Sequence, residues 1–164
     1  MTKIAHVGCG YWGKNLVRDF AQLGALAAIV EPNAAQAAKL SAEHSLPVRT
    51  LEEVLADPQI DALSFATPAV THASLAIQAM RAGKHVFMEK PLALSVEEGQ
   101  EVVEVAQETG KLVMVGHLLQ YHAIFAKLRE LVQAGELGAI QHVYSNRMSL
   151  GKFRLEENVW WSFA

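Results

Sequence analysis

Residues 4–16 read Ile4-Ala5-His6-Val7-Gly8-Cys9-Gly10-Tyr11-Trp12-Gly13-Lys14-Asn15-Leu16. A short apolar run meets glycines at the spacing G-x-G-x-x-G and passes into a helical pattern. The spacing alone is weak evidence, because any tight strand-to-helix turn favours glycine. Context strengthens it: Gly8 can make the turn, Gly10 can let the backbone approach a pyrophosphate, and Gly13 can let helix and strand pack closely. Backbone N–H groups at the helix start would face the phosphates, with Tyr11 and Trp12 inside the same turn. The alternative is the same turn without a ligand. Cys9 and His6 read as a small turn residue and an ordinary strand residue.

Outward from this stretch the phrase recurs. Ile4–Val7, Leu26–Val30, Ala62–Ala66, His85–Met88 and Leu112–Val115 have the length of buried strands, and a weaker strand is expected at Pro47–Arg49. Helical stripes lie between them: Leu16, Phe20 and Leu23; Leu75, Ala76, Ala79 and Met80; Val102, Val103 and Ala106; then Ile124, Leu128, Leu131 and Val132. Gly24, Gly83, Gly110 and Gly135 follow these stripes, where a helix ends in a residue of positive φ. Ser95 and Glu98 have the spacing of a capping box. The alternation predicts an α/β fold with a doubly wound parallel sheet, a Rossmann domain over residues 1–120.

Composition narrows the function classes. A chain of 164 residues, 51% apolar, can bury one good core and part of a second. A net charge of -3, with both signs interspersed, gives no nucleic-acid or polybasic membrane surface, so a small-molecule partner is expected. The single cysteine excludes an intrachain disulfide. The N-terminus enters a short apolar run without the long apolar core of a signal peptide, and no run approaches the roughly 20 residues of a membrane span, so a soluble, cytoplasmic protein is expected.

Glu31 closes the second strand, where a carboxylate can accept both ribose hydroxyls of adenosine. That points to NAD. A 2′-phosphate beside it would meet a repulsion of at most about 4 kcal/mol per charge pair, and about 1.4 kcal/mol already makes a tenfold preference. Pro32 and Asn33 follow rather than arginine or serine, so NADP is disfavoured. The alternative is an ordinary exposed carboxylate. Micromolar binding needs about 8 kcal/mol, and a helix N-terminus contributes roughly 0.3–2, so other strand ends must take part. Those are Thr67 with Pro68, Glu89 to Pro91, and Gly116 with His117.

Ala66-Thr67-Pro68 with His72, Ala82-Gly83-Lys84-His85-Val86, and Glu89-Lys90-Pro91-Leu92-Ala93, joined to the glycine turn, resemble the glucose–fructose oxidoreductase/inositol dehydrogenase family of NAD(P)-dependent sugar oxidoreductases. The likeness covers nearly the whole chain, because Gly135-Glu136-Leu137-Gly138 and the run after it look like that family's passage into a second domain. Glu156-Glu157-Asn158-Val159-Trp160-Trp161-Ser162-Phe163-Ala164 resembles the branch oxidising nucleotide-linked amino-sugar acids. The resemblance implies that Lys90 is the catalytic residue, beside the nicotinamide and the substrate hydroxyl. A lysine there can polarise the hydroxyl or relay its proton; the alternative is a lysine that pairs with Glu89. It also implies a cis Lys90–Pro91 bond. His72 reads as a cofactor contact, a helix cap or a structural residue. Gly116-His117-Leu118-Leu119-Gln120-Tyr121-His122 matches the family's segment at the mouth of the site. There His117 could contact substrate or ribose and Tyr121 could line the pocket, or both could simply pack. The implied substrate is a secondary hydroxyl of a sugar or sugar-nucleotide, and the implied full-length parent is a homo-oligomer. No metal is expected, since His117 and His122 lack carboxylate or cysteine partners at ligand spacing.

Residues 121–164 are expected to hold a linker helix and the start of a truncated second α/β domain. Ala139–Met148 reads as its first strand. In the family that domain supplies most substrate contacts and usually an acid/base histidine, so turnover by this chain alone is left open. The competing readings are a non-catalytic NAD(H)-binding module or sensor subunit, and a scaffold that has lost its ligand.

Overall fold

Among the described residues, Ile4–Val7 (β1) lies inside a five-stranded sheet, flanked by Leu26–Val30 (β2) and Ala62–Phe65 (β3), with His85–Met88 (β4) and Val113–Val115 (β5) beyond β3. The computed structural model describes residues 1–146. All four pairings are parallel. Crossovers of this kind need helices, and the chain supplies them as Gly13–Gln22 (α1), Ala34–His44 (α2), Leu51–Ala56 (α3), His72–Arg81 (α4) and Val96–Thr109 (α5). The weak strand expected at Pro47–Arg49 is a single parallel bridge, Ile29 to Val48, held by Ile29 N–H on Pro47 O and Arg49 N–H on Ile29 O. Counting that segment as the third strand in sequence, the order across the sheet becomes 3-2-1-4-5-6, that of dinucleotide-binding folds. The chain has the Rossmann-type α/β fold.

The strands alternate between two faces. Ala5, Val7, Leu63, Phe65, Val86 and Met88 pack with Ala76, Ala79 and Met80 of α4 and with Val102 and Val105 of α5. On the other side Cys9, Val17, Leu26, Ile29 and Leu40 form a smaller cluster, with Phe20 packed against it and in edge-to-face contact with Phe87 at 5.9 Å. His6 and Ser64, neighbours in the β1–β3 register, are fully buried between strand residues that serve the larger core.

Helix ends follow the sequence signals with two exceptions. Gly24, Gly83, Gly110 and Gly135 all have positive φ. Ser95 accepts from Glu98 N–H, but the Glu98 carboxylate turns to Leu94 N–H, so the reciprocal arm misses the cap residue. A complete capping box forms instead at Thr50 and Glu53. Helices α2 and α3 were not expected: α2 is alanine-rich and buries only Ala37 and Leu40, while α3 has six residues, too few for a stripe to repeat.

Met1–Gly116 forms one unit and the chain from His117 onward another. Within the second, a 3₁₀ turn at Leu118–Tyr121 leads into Ala123–Gln133 (α6), capped by the His122 side chain, which accepts from Ile124 N–H. The strand expected over 139–148 is not formed at residues 139–146, because the described residues of this unit hold no strand for a ladder. Arg147 and Met148, and the segment 156–164, lie outside the described residues. Among the described residues no helix is long and apolar enough to cross a membrane.

Candidate functional site

Parallel strands deliver the residues that follow them to one edge. The glycine turn follows β1, Glu31 follows β2, Thr67 and Pro68 follow β3, Glu89 to Pro91 follow β4 and Gly116 follows β5. The chain reverses its direction across the sheet between β1 and β3, where α/β sheets open a crevice at the strand ends.

The glycines do different work. Gly8 has φ +90°, and a side-chain carbon there would lie 2.8 Å from Ala66 O, so the turn presses against the loop after β3. At Gly13 an added carbon would meet Gly8 O at 1.9 Å, so helix and turn touch there. Around Gly10 the space is open, with nothing within 4 Å of the corresponding position. Helix α1 starts without a side-chain cap, although Lys14 N–H and Asn15 N–H already bond to Gly10 O at 3.3 Å and Trp12 O at 2.8 Å. Tyr11 is exposed at the turn, with the Lys14 ammonium 5.6 Å from its ring centre.

Glu31 is tied into this turn. Its Oε2 accepts Cys9 N–H at 2.7 Å and its Oε1 accepts Asn33 N–H at 2.9 Å. A carboxylate has about four acceptor directions, so each oxygen keeps one for a ribose hydroxyl. Gln36 adds a second tie, its amide donating to Cys9 O at 3.0 Å. Burial, helped by the Glu31 charge, pushes the Cys9 thiol up to about 12.

His6 supports the turn from below. Gly8 O can only accept, so His6 Nε2 carries the proton and donates to it at 3.0 Å, while Nδ1 accepts from the Ser64 hydroxyl at 3.0 Å. Burial lowers its pKa to about 4, against a smaller opposing effect of the Gly8 bond. His6 was read as an ordinary strand residue. The usable signal was a polar residue in an otherwise apolar strand, at the register of a second one.

Trp12 reaches across the crevice. Its Nε1 donates to Glu89 Oε1 at 2.8 Å, and Glu89 is buried beneath Gly116, where a side-chain carbon would come within 2.9 Å of Oε1. Lys90 is half-buried, and the Lys90–Pro91 bond is cis as the resemblance implied. Thr71 spends its hydroxyl proton on Pro68 O, so Thr67 donates to Thr71 and keeps its acceptor side. His72 does not present a ring edge to the crevice: it is buried, with Nε2 on Thr67 O at 2.9 Å and Nδ1 on Pro91 O at 2.6 Å. It acts through those loops. His117 and Tyr121 belong to the second unit, at the 3₁₀ turn. A mostly apolar cleft of about 410 Å³ between α5 and β5 is lined by Val102, Val103, Ala106 and Val113, with Leu92 and Val115 at its wall.

Residues 2–117 match the oxidoreductase family with an NAD-binding Rossmann fold, the glucose–fructose oxidoreductase/inositol dehydrogenase family. The chain belongs to this family. Its relatives include the scyllo-inositol 2-dehydrogenase (NAD(+)) of Bacillus subtilis strain 168, 42% identical over 86 residues, which cover 52% of this chain and 25% of that protein. The UDP-N-acetylglucosamine 3-dehydrogenase of Acidithiobacillus ferrooxidans is 33% identical over 146 residues, 87% of this chain and 44% of that protein. Among solved structures, a putative myo-inositol dehydrogenase from Sinorhizobium meliloti 1021 superposes with a TM-score of 0.76 at 28% identity, over 84% of this chain and 43% of that one. The family chain described here thus spans less than half the length of these relatives.

Proposed function

We propose that the chain is the cofactor-binding part of an NAD-dependent oxidoreductase acting on a secondary hydroxyl of a sugar or sugar-nucleotide. The observation that carries this reading is the convergence, at one sheet edge, of an open glycine turn, a ribose-type carboxylate and a lysine loop. The open space at Gly10 and the uncapped start of α1 suit a pyrophosphate. Glu31 accepts ribose hydroxyls and repels a 2′-phosphate, which favours NAD over NADP. When bound, the nicotinamide exchanges hydride with the carbon that bears the hydroxyl. Lys90 polarises that hydroxyl and takes up or returns its proton. Thr67, Pro68, Glu89 and Pro91 shape the wall between turn and lysine, and Trp12 fixes Glu89 within it. His117 and Tyr121 are the substrate-side residues, and the chain from 121 onward begins the substrate domain.

Titration of the chain with NADH and NADPH, followed by nicotinamide fluorescence and heat of binding, tests the reading. NADH should bind more tightly, and Glu31→Ala should weaken it at least tenfold while narrowing the ratio between the two cofactors. The ratio is the decisive readout, because mere loosening of the turn would weaken both alike. A folded chain that binds neither would overturn the proposal.

A further inference from the structure

Two different side chains hold the turn after β1. Glu31 Oε2 accepts Cys9 N–H at 2.7 Å and so fixes the Gly8–Cys9 peptide. Gln36, half-buried in the first turn of α2, donates from Nε2 to Cys9 O at 3.0 Å and so holds the next peptide, Cys9–Gly10. The circuit closes through Asn33. Its N–H goes to Glu31 Oε1 at 2.9 Å, and its side chain, the cap of α2, accepts Gln36 N–H at 3.0 Å. Both anchors of Glu31 are backbone amides, so neither passes through the Gln36 side chain.

The second peptide is the one that needs holding. Glycine takes either sign of φ at little cost, so the peptide before Gly10 can turn over with no side-chain carbon to oppose it. The Cys9–Gly10 bond is trans and planar, so its C=O and N–H point to opposite sides. With Cys9 O turned to Gln36, Gly10 N–H is turned away from it. Among the described residues that N–H has no backbone acceptor, and the space around Gly10 is open. A peptide turned over would present a carbonyl oxygen instead, which repels a phosphate that an N–H would bind.

We propose that Gln36 is a positioning residue for the cofactor: by holding Cys9 O it keeps Gly10 N–H available as a donor to a pyrophosphate oxygen. This rests on the cofactor reading of that edge. Glu31 and Gln36 then divide the turn between them, the carboxylate serving the ribose and the amide serving the phosphates. A glutamine suits the task because Cys9 O requires a donor, and an ionised glutamate of the same shape can only accept.

Nitrogen-15 relaxation of the labelled chain reads the peptide without any ligand. The Gly10 amide should be rigid in the wild type. In Gln36→Met, which keeps the length of the side chain but has no donor, it should gain fast motion or microsecond-to-millisecond exchange. Binding of ADP and of adenosine, by calorimetry and chemical-shift titration, then separates the phosphate from the ribose. Gln36→Met should weaken ADP by about fivefold, the worth of one hydrogen bond, and leave adenosine within about twofold. Glu31→Ala should weaken both, and NADH should follow ADP. Equal weakening of ADP and adenosine by Gln36→Met, or of neither, overturns the proposal, as does a Gly10 amide with the same motion in both chains. If Gln36→Met does not fold, Gln36→Glu, which adds an acid to the first turn of α2, gives the same relaxation readout. If the folded wild type binds neither NADH nor ADP, the cofactor reading fails, and Gly10 relaxation still decides whether Gln36 holds the peptide.

Discussion

Trp12 Nε1 and Glu89 Oε1 lie 2.8 Å apart, joining the turn after β1 to the loop after β4. Their sequence separation is 77 residues, so the bond exists only once the sheet has placed both strand ends at one edge. It couples the glycine turn to the loop that carries Lys90. Removing the donor leaves a buried carboxylate short of a partner, which costs more than the bond's net value. Trp12→Phe should therefore destabilise the fold by about 1.5–3 kcal/mol, and adding Glu89→Gln should recover part of the loss. Urea unfolding of both variants and the double variant checks this; equal stabilities for wild type and Trp12→Phe would count against the coupling.

The glycines should separate by position. Gly13→Ala puts a carbon 1.9 Å from backbone oxygen and cannot be relieved by a side-chain shift, so it should unfold or gravely destabilise the domain. Gly8→Ala combines a φ of +90° with a 2.8 Å approach to Ala66 O and should come next. Gly10→Ala enters open space and should fold, yet bind NADH poorly if, as proposed, the pyrophosphate approaches the backbone there. Thermal unfolding alongside NADH titration gives both orders.

His6 sets an acid limit on stability. Its folded-state pKa of about 4 lies below the ordinary 6.5, so the unfolded chain binds more protons between those values. The stability is complete above pH 6.5 and is lost as pH falls toward 4, by at most about 3 kcal/mol. His6→Asn should flatten the unfolding free energy across that window.

Cys9 should be silent in the folded chain. It is fully buried, and burial pushes its thiol up to about 12, so thiolate is scarce at pH 8. Alkylating reagents should leave it unmodified in buffer and label it in denaturant. Fast labelling of the folded chain would contradict the packing of the turn.

The expectations that held were those with a short-range physical signature. Apolar strand runs, glycines beyond helix ends and the spacing Gly8, Gly10, Gly13 each report a local backbone demand. What sequence reading missed depends on register. His6 gains its role only because Ser64 is its neighbour across β1 and β3 and because the chain turns back at Gly8. Gln36 is bound to Cys9 O through a helix whose alanine-rich pattern gave no stripe to read. For His72 the sequence left a cofactor contact, a helix cap and a structural role open, and only the fold brings its ring onto the carbonyls of Thr67 and Pro91.

Gly116 sits against the Glu89 carboxylate. A side-chain carbon at 116 would lie 2.9 Å from Oε1, the same oxygen that accepts from Trp12. The carboxylate is the end of a flexible side chain, so Gly116→Ala should fold with Glu89 displaced rather than fail to fold. Displacement breaks the Trp12 bond, so Gly116→Ala should carry a loss like that of Trp12→Phe, about 1.5–3 kcal/mol. Because both act on one interaction, the double variant should lose little more than either single one. Strict additivity in urea unfolding would mean that Gly116 is small for another reason. A steeper loss of NADH affinity in Gly116→Ala than in Trp12→Phe would place the displaced carboxylate in the cofactor's own space.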